Sequence, residues 1–300
     1  MDNSVSSSLS IDTFEVRLSE IDTVELDQLH ALSIGVGWPH RAEDWQFLRN
    51  VGRGIVASDE IGRVLGSAMW FPQASGFATV GMVITSPRLQ SLGAGELLMR
   101  RILQELQRRE IRLNATRAAR RLYLSLDFHP EKTVFQCQGE ARRLQGTPPV
   151  PLGAELRRLQ QADLAAIEEL DTKAFGVSRR ALLAALFKES VGFGLFRSGQ
   201  LHGFALCRRF GRGHVIGPVA ASCDEDAIAV IAPHIEMHER RFLRLDTHLR
   251  EGAFGTFLSQ SGLPVFDTVL TMSLRQPVPE LGHRSGGHPV MYALASQALG

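Results

Sequence analysis

The sequence is short of cysteine, tyrosine and lysine, and it has no long apolar run. Its three cysteines, Cys137, Cys207 and Cys223, are odd in number and far apart. They build neither a disulfide framework nor a paired zinc spacing, so a reducing, cytoplasmic setting is expected. No stretch approaches the roughly 20 apolar residues a membrane-spanning helix needs. The polar opening MDNSVSSSLS lacks the apolar core of a signal peptide and reads as a disordered lead-in over residues 1–11. A net charge of +1 on 300 residues leaves no global field to recruit nucleic acid or a membrane surface. Lysine is nearly replaced by arginine, 3 against 30, and the Arg-Arg pairs are scattered rather than gathered on one element. Nothing else supports nucleic-acid binding.

What is present is a globular composition, 44% apolar and 22% charged, in a chain long enough for two ordinary domains. The segment RRLQGTPPVPLGA, residues 142–154, concentrates proline and glycine without hydrophobic periodicity and reads as a linker. On each side lies a similar series of elements. FATVGMVITSP and HVIGPVAAS are continuous apolar strands, each preceded by a strand pair and followed by a helix. VGMVITS aligns with IGPVAAS, which sets Gly81 against Gly217, 136 positions on (217 − 81), and IRLNAT aligns with LRLDTH. A repeat this long implies two copies of one α/β domain, over 12–141 and 155–276. The tail 277–300 ends in PVMYALASQALG, whose Met291, Tyr292, Leu294 and Leu299 imply docking on the body.

The stretch SPRLQSLGAGELLMRRIL joins the first apolar strand to an amphipathic helix from about Gly93 to Arg109, with Leu97, Leu98, Ile102 and Leu106 on one stripe. Glycines at 93 and 95 allow a tight turn or a close approach of backbone to a ligand. The first N–H groups of a helix lack intrahelical acceptors and carry partial positive charge, which suits a pyrophosphate.

Pro87-x-x-Gln90-x-x-Gly93-x-Gly95 after a buried strand resembles motif A of the GNAT superfamily of N-acetyltransferases. IRLNATRAARRLYLSLDF resembles the following motif B through Leu113, Ala115, Thr116, Leu122, Tyr123, Leu126 and Phe128, with Asp127 where glycine is usual. The resemblance covers about 14–140. The second half is similar to the second domain of tandem members, through FGVSRRALLAALF, HVIGPVAAS and the terminal MYALASQALG. The fold this implies is two tandem GNAT-like domains, each a mixed, mostly antiparallel central sheet flanked by helices.

The resemblance further implies acetyl-CoA as co-substrate and no metal. Backbone of Val83, Ile84 and Thr85 would pair with the pantetheine arm. The N–H groups of Gln90, Ser91, Leu92, Gly93, Ala94 and Gly95, with Glu96 at the rim, would hold the pyrophosphate. Tyr123 stands at the family's general-acid position, returning a proton to the departing thiolate. No carboxylate lies on the central strand to act as base, so a water relay or a residue from another element, Asp246, Asp44 or His129, would serve. The second copy lacks Gly-x-Gly, carries Asp224, Glu225 and Asp226 where a pyrophosphate would sit, and aligns Phe257 with Tyr123. It is expected to be catalytically silent. His234 and His238, one helical turn apart, read as a solvated helix end rather than a metal site.

The function expected is transfer of an acetyl group to a small-molecule amine by direct attack in a ternary complex, with no nucleic-acid or membrane partner. The alternatives are an acyl-CoA-binding sensor or scaffold without transfer activity, and a superfamily member turned to another acyl-CoA reaction. The acceptor and the oligomeric state are not legible.

Overall fold

The computed structural model describes residues 7–11, 14–74, 76–90, 92–144, 146, 148–275 and 288–300. The first half begins with five consecutive antiparallel strands, β1 (Ser7–Ile11), β2 (Phe14–Glu20), β3 (Arg53–Ser58), β4 (Val64–Pro72) and β5 (Phe77–Thr85). The disordered lead-in expected over 1–11 is corrected only for its second part: Ser7–Ile11 is a strand on the edge of the sheet, and residues 1–6 lie outside the described residues. Between β2 and β3 lie helices α1 (Leu26–Gly35) and α2 (Ala42–Val51). After β5 comes α3 (Ala94–Glu105), then β6 (Glu110–Ala115), which pairs with β5 in parallel. A short helix α4 (Arg120–Leu124) precedes β7 (His129–Glu140).

The second half repeats the order. It runs β8 (Glu155–Arg158), α5 (Leu164–Phe175), α6 (Arg180–Lys188), β9 (Ser190–Arg197), β10 (Gln200–Phe210), β11 (Gly213–Ala221), α7 (Asp224–Met237), β12 (Phe242–Thr247), α8 (Gly252–Gln260) and β13 (Val265–Leu274). β11 and β12 are parallel and the remaining neighbours antiparallel. A last strand, β14 (Val290–Ala293), lies in the tail.

The two halves do not close separate sheets. β13 of the second half pairs with β6 of the first, and β7 of the first pairs with β12 of the second. β7 and β13 pair with each other at the centre. Each half is therefore completed by its sibling's last strand, and the described strands form one continuous sheet. The linker 142–154 divides the sequence but not the sheet.

Alternation along β4 shows how the faces are used. Ala68 and Trp70 pack into the core beneath α3 and α4, while Met69 and Phe71 pack into a second core shared by α1, α2, α5 and α6. α7 and α8 cover a third core in the second half. In α3, Leu98, Met99 and Ile102 are fully buried, and Leu106 caps the end, four residues before the expected stop at Arg109. Each such side chain contributes roughly 1.5–3 kcal/mol. The exposed pairs Arg100–Glu96 and Arg101–Glu105 add only about 0.3–0.5 kcal/mol apiece. Packing holds α3 in place. Among the described residues no helix is long and apolar enough to cross a membrane.

Candidate functional site

The β5–β6 ladder stops at Val80↔Leu113, and beyond it the two strands part. The parting follows a bulge, where the β4–β5 register shifts between Ser67 and Met69 and Met82 takes φ +52°. The Ser67 hydroxyl donates to the Met82 carbonyl at 2.8 Å and fixes the bulge. From Gly81 to Thr85 the β5 edge facing β6 carries no ladder. Val83, Ile84 and Thr85 lie on that edge.

The loop after β5 is built from short-range bonds. Ser86 N–H donates to Leu65 O at 2.7 Å, and Leu89 and Gln90 N–H both return to Ser86 O. Leu89 is buried beneath it as an anchor. The Gln90 amide donates to Thr85 O at 3.3 Å. Gly93 caps α3 at φ +86°, a left-handed conformation that favours glycine, and nothing crowds it. Gly95 does a different job: a Cβ there would meet Leu122 of α4 at 3.2 Å. One glycine serves the turn and the other the packing of α3 on α4. Leu92 and Ala94 complete the loop and helix start, Glu96 pairs with Arg100 at 2.7 Å, and Ser91 lies outside the described residues.

Tyr123 is buried on α4 in the core beneath α3, edge-to-face with Phe128 at 5.8 Å. Burial pushes its phenol above the ordinary tyrosine range, so it stays protonated. Its hydroxyl makes no hydrogen bond among the described residues. Asp127, the departure from the motif, sits at φ +62°, which explains why glycine is usual there and why a short polar residue substitutes.

On the other side of the parted strands lies a cavity of about 260 Å³. It touches β5 at Gly81 and Met82, β6 at Asn114, and Thr116 just beyond. Trp38 and His40 of the α1–α2 loop, Gln136 and Gln138 of β7, Phe210 and Arg244 of the second half, Phe266 and Asp267 of β13, and Ser296, Gln297 and Ala298 of the tail complete it. The cavity thus lies between the two halves, and the tail is one of its walls. Tyr123 is not among the lining residues.

The wall carries a chain of amides. Gln297 Nε2 donates to Asp246 Oδ1 at 3.2 Å and to Gln136 Oε1 at 3.1 Å, and Gln136 Nε2 donates to Gln138 Oε1 at 2.8 Å. Asn114 donates to the Gln297 carbonyl at 2.7 Å and accepts from Thr271. His40 is half-buried between Trp38 and Phe210, and its Nδ1 has no hydrogen-bond partner among the described residues. Burial pushes its pKa down to about 4, with Arg244 and Arg208 adding to the effect and Asp44 opposing it.

The three candidate bases fare differently from what a free base requires. Asp44 accepts from Arg41 N–H, Nε and Nη2 and from Gly211 N–H, clasping the α1–α2 loop to the β10–β11 turn. Burial raises its carboxyl, but these hydrogen bonds outweigh it and hold the pKa below the usual range. Asp246 is wholly buried against Arg244 at 2.9 Å. His129 is exposed and away from the cavity. The cavity's own polar residues were missed from sequence, because glutamines on strands carry no motif.

The second copy keeps the ladder and loses the opening. Its parallel pairs His214↔Leu243 and Val215↔Arg244 correspond through the repeat to Ala78↔Ile111 and Thr79↔Arg112. Beyond them β14 fills the gap, pairing Val219↔Ala293, Ala220↔Met291 and Ala221↔Val290. Asp224 accepts from the Tyr292 hydroxyl at 2.9 Å and from Phe254 N–H, and Asp226 pairs with Arg197 at 2.6 Å. Phe257 is buried. His234 and His238 correct the expectation of a solvated helix end: α7 packs on β9, β10 and β11, and both imidazoles are buried. No metal-binding group occurs among the described residues.

Residues 23–128 match the family model described as "Acetyltransferase (GNAT) family", and residues 167–284 match "Acetyltransferase (GNAT) domain". Among solved structures, a candidate acetyltransferase from Pyrococcus horikoshii superposes with a TM-score of 0.76 at 18% identity, covering 97% of this chain and 98% of its own. A tandem GNAT protein from the clavulanic acid biosynthesis pathway gives 0.65 at 13% identity, covering 87% of this chain and 98% of its own. A GCN5-related N-acetyltransferase from Sphaerobacter thermophilus gives 0.62 at 17%, covering 86% and 95%. No curated protein matches the sequence. At these identities the structural likenesses speak for the fold alone. Two family matches on one chain, each on a half that repeats the other, identify it as a tandem member of the GNAT acetyltransferase superfamily.

Proposed function

We propose that the protein is an acetyl-CoA-dependent N-acetyltransferase whose first copy carries out the chemistry on a small-molecule amine. The observation that carries this reading is the unpaired β5 edge at residues 81–85. It is flanked by the N-terminus of α3 on one side and by the interdomain cavity on the other. The second copy has no such opening, since β14 occupies it.

In this reading the pantetheine arm of acetyl-CoA continues the sheet along Val83, Ile84 and Thr85. The pyrophosphate rests on the N–H groups of Gly93, Ala94 and Gly95 at the start of α3, those of Gln90 and Leu92 being taken by Ser86 O and Leu89 O. A backbone N–H at the bulge polarises the thioester carbonyl. The acceptor amine attacks from the cavity, the new C–N bond forms as the C–S bond breaks, and Tyr123 donates its proton to the leaving thiolate. The acylated nitrogen gives up its extra proton to water and the tyrosinate regains one from water, so the protons balance. Asp44 and Asp246 are tied up in ion pairs and His40 is held neutral with a low proton affinity, so the amine enters in its uncharged form or gives its proton to cavity water or to Asp267, the carboxylate on the cavity wall, which accepts from Thr268 N–H and forms no ion pair among the described residues. Both substrates are bound together, as no cysteine lines the site to carry an acetyl group. The amide-lined, partly aromatic walls suit a polar small molecule.

The test is release of free CoA from acetyl-CoA across a panel of small amines, with Tyr123→Phe in parallel. Amine-dependent release that falls about 10- to 100-fold in the variant supports both transfer and the acid role. Binding of acetyl-CoA without release by any amine favours the second reading, a sensor or scaffold.

A further inference from the structure

In the first copy three features converge: an open strand edge, a helix start and the gap between two parallel strands. In the second copy all three are taken up by the chain's own tail. Residues 290–293 pair with Val219, Ala220 and Ala221, which correspond through the repeat to Val83, Ile84 and Thr85. Leu294 N–H crosses the gap to Asp246 O on β12 at 2.9 Å. The Tyr292 hydroxyl meets Asp224 in the first turn of α7, and its ring packs on Phe254 at 4.9 Å. Tyr292, Ala293, Leu294 and Ala295 are all buried.

The tail then turns toward the other site. Ala295 N–H donates to Gly300 O at 2.8 Å and Gly300 N–H to Ser296 O at 3.1 Å, so residues 295–300 form a closed loop. This loop reaches the first copy's cavity. Ala298 lies against β5 so closely that a Cβ on Gly81 would fall 2.6 Å from its own Cβ. Gln297 is held at both ends, its carbonyl by Asn114 and its amide N–H groups by Asp246 and Gln136. Its side-chain Oε1 makes no hydrogen bond among the described residues.

We propose that the cleft of the second copy is a receptor for residues 290–294 of the same chain, and that its grip sets Ser296–Ala298 as a wall of the acceptor cavity. Gln297 is thereby a specificity-determining residue, and the amines it selects carry a hydroxyl or amide group beside the nitrogen-bearing carbon. This rests on the acetyltransferase reading above. The second copy's role is then to hold, in the place where its sibling holds a substrate, the peptide that completes its sibling's acceptor site. The chemical reason is that an extended peptide offers the same alternating donors and acceptors to a strand edge that an amide-containing arm does. The amide chain from Asp246 through Gln297 and Gln136 uses up N–H groups on its members, leaving the side-chain Oε1 of Gln297 and the Nε2 of Gln138 for an incoming hydroxyl or amide.

The experiment uses full-length protein with acetyl-CoA and two matched acceptors, 2-amino-1,3-propanediol and isopropylamine, which differ only in two hydroxyls, compared at equal concentrations of neutral amine. The wild type is expected to favour the diol by about tenfold or more in kcat/KM, the order of one or two hydrogen bonds. Gln297→Ala should bring that ratio close to one by raising KM for the diol, with kcat little changed. Gly217→Ala acts on the seat of the tail and not on the cavity wall: Gly217 does not line the cavity, and a Cβ there would collide with Leu294 O. It should remove the preference in the same way and speed hydrogen exchange at residues 290–294, with acetyl-CoA affinity retained. Tyr292→Phe, which loses only the hydroxyl, gives a milder version of the same pattern if Gly217→Ala does not fold. A ratio near one in the wild type, a ratio unmoved by Gln297→Ala, or a panel without turnover despite bound acetyl-CoA would overturn the proposal. Failure to bind acetyl-CoA at all would instead sink the acetyltransferase reading.

Discussion

Arg179→Ala is the substitution whose effect on stability follows most directly from the structure. Arg179 and Asp171 are both wholly buried and joined by two hydrogen bonds, Nε to Oδ2 at 2.8 Å and Nη2 to Oδ1 at 2.9 Å. The third nitrogen, Nη1, donates to Gly300 O at 2.7 Å, and the guanidinium stacks over Phe175 at 4.0 Å. One side chain thus ties α5, the start of α6 and the tail together. Removing it strands a buried carboxylate, while Gly300 O keeps its bond from Ala295 N–H, and breaking a buried pair in this way costs about 3–5 kcal/mol. That is a large part of the roughly 5–15 kcal/mol by which native domains are stable. With a urea slope of about 3 kcal/mol/M, the midpoint should drop by about 1 M or more. The double variant Arg179→Met with Asp171→Asn, which leaves no unpaired charge, should lose clearly less than the sum of its two singles. A loss below about 1 kcal/mol for Arg179→Ala, or strict additivity in the cycle, would refute this account of how the tail is fastened.

Two pH dependences follow from buried imidazoles. Burial pushes His234, whose Nε2 lies 3.2 Å from Ala205 O, down to about 4. Below an unfolded pKa of about 6.5 the unfolded chain takes up a proton that the folded one refuses, so stability falls as pH drops from there toward 4, by about 3 kcal/mol. Thermal melts between pH 7.5 and 4 should show the decline, and a melting temperature independent of pH over that range would count against it. The second dependence concerns rate. His40 is already neutral above pH 5, so kcat/KM should rise about tenfold per pH unit up to the pKa of the acceptor amine. A plateau with an apparent pKa near 6.5 would mean that an ordinary histidine is the base and that His40 is placed differently.

The repeat, the linker and the glycine loop were legible because each is a local pattern. Apolar strands, a proline-rich break and Gly-x-Gly before a helix can all be read within a few residues. The exchange of β7 and β13 was not, since the two strands have the same local character and only long-range pairing decides which neighbour each takes. The filling of the second gap by β14 was equally hidden, although Gly217 carries a trace of it: a Cβ there would strike Leu294 O. The missing side chain of Gly95, which looked like room for a ligand, makes room for Leu122. The His234–His238 pair looked solvated on polarity alone, whereas the sheet it covers decides its burial. Gln136, Gln138 and Gln297 escaped notice because residues such as Gln136 and Gln297, which meet across 161 positions (297 − 136), share no sequence signal.

The central claim is that two copies of one fold divide the labour, the first keeping its cleft open for acetyl-CoA and the second closing it with the tail. Isothermal titration of the full-length protein with acetyl-CoA tests this most directly, through the stoichiometry. One molecule bound per chain, lost or much weakened when Gly93 is replaced by a β-branched residue, is the predicted result. Two molecules per chain would contradict the closed second cleft, and none would contradict the open first one.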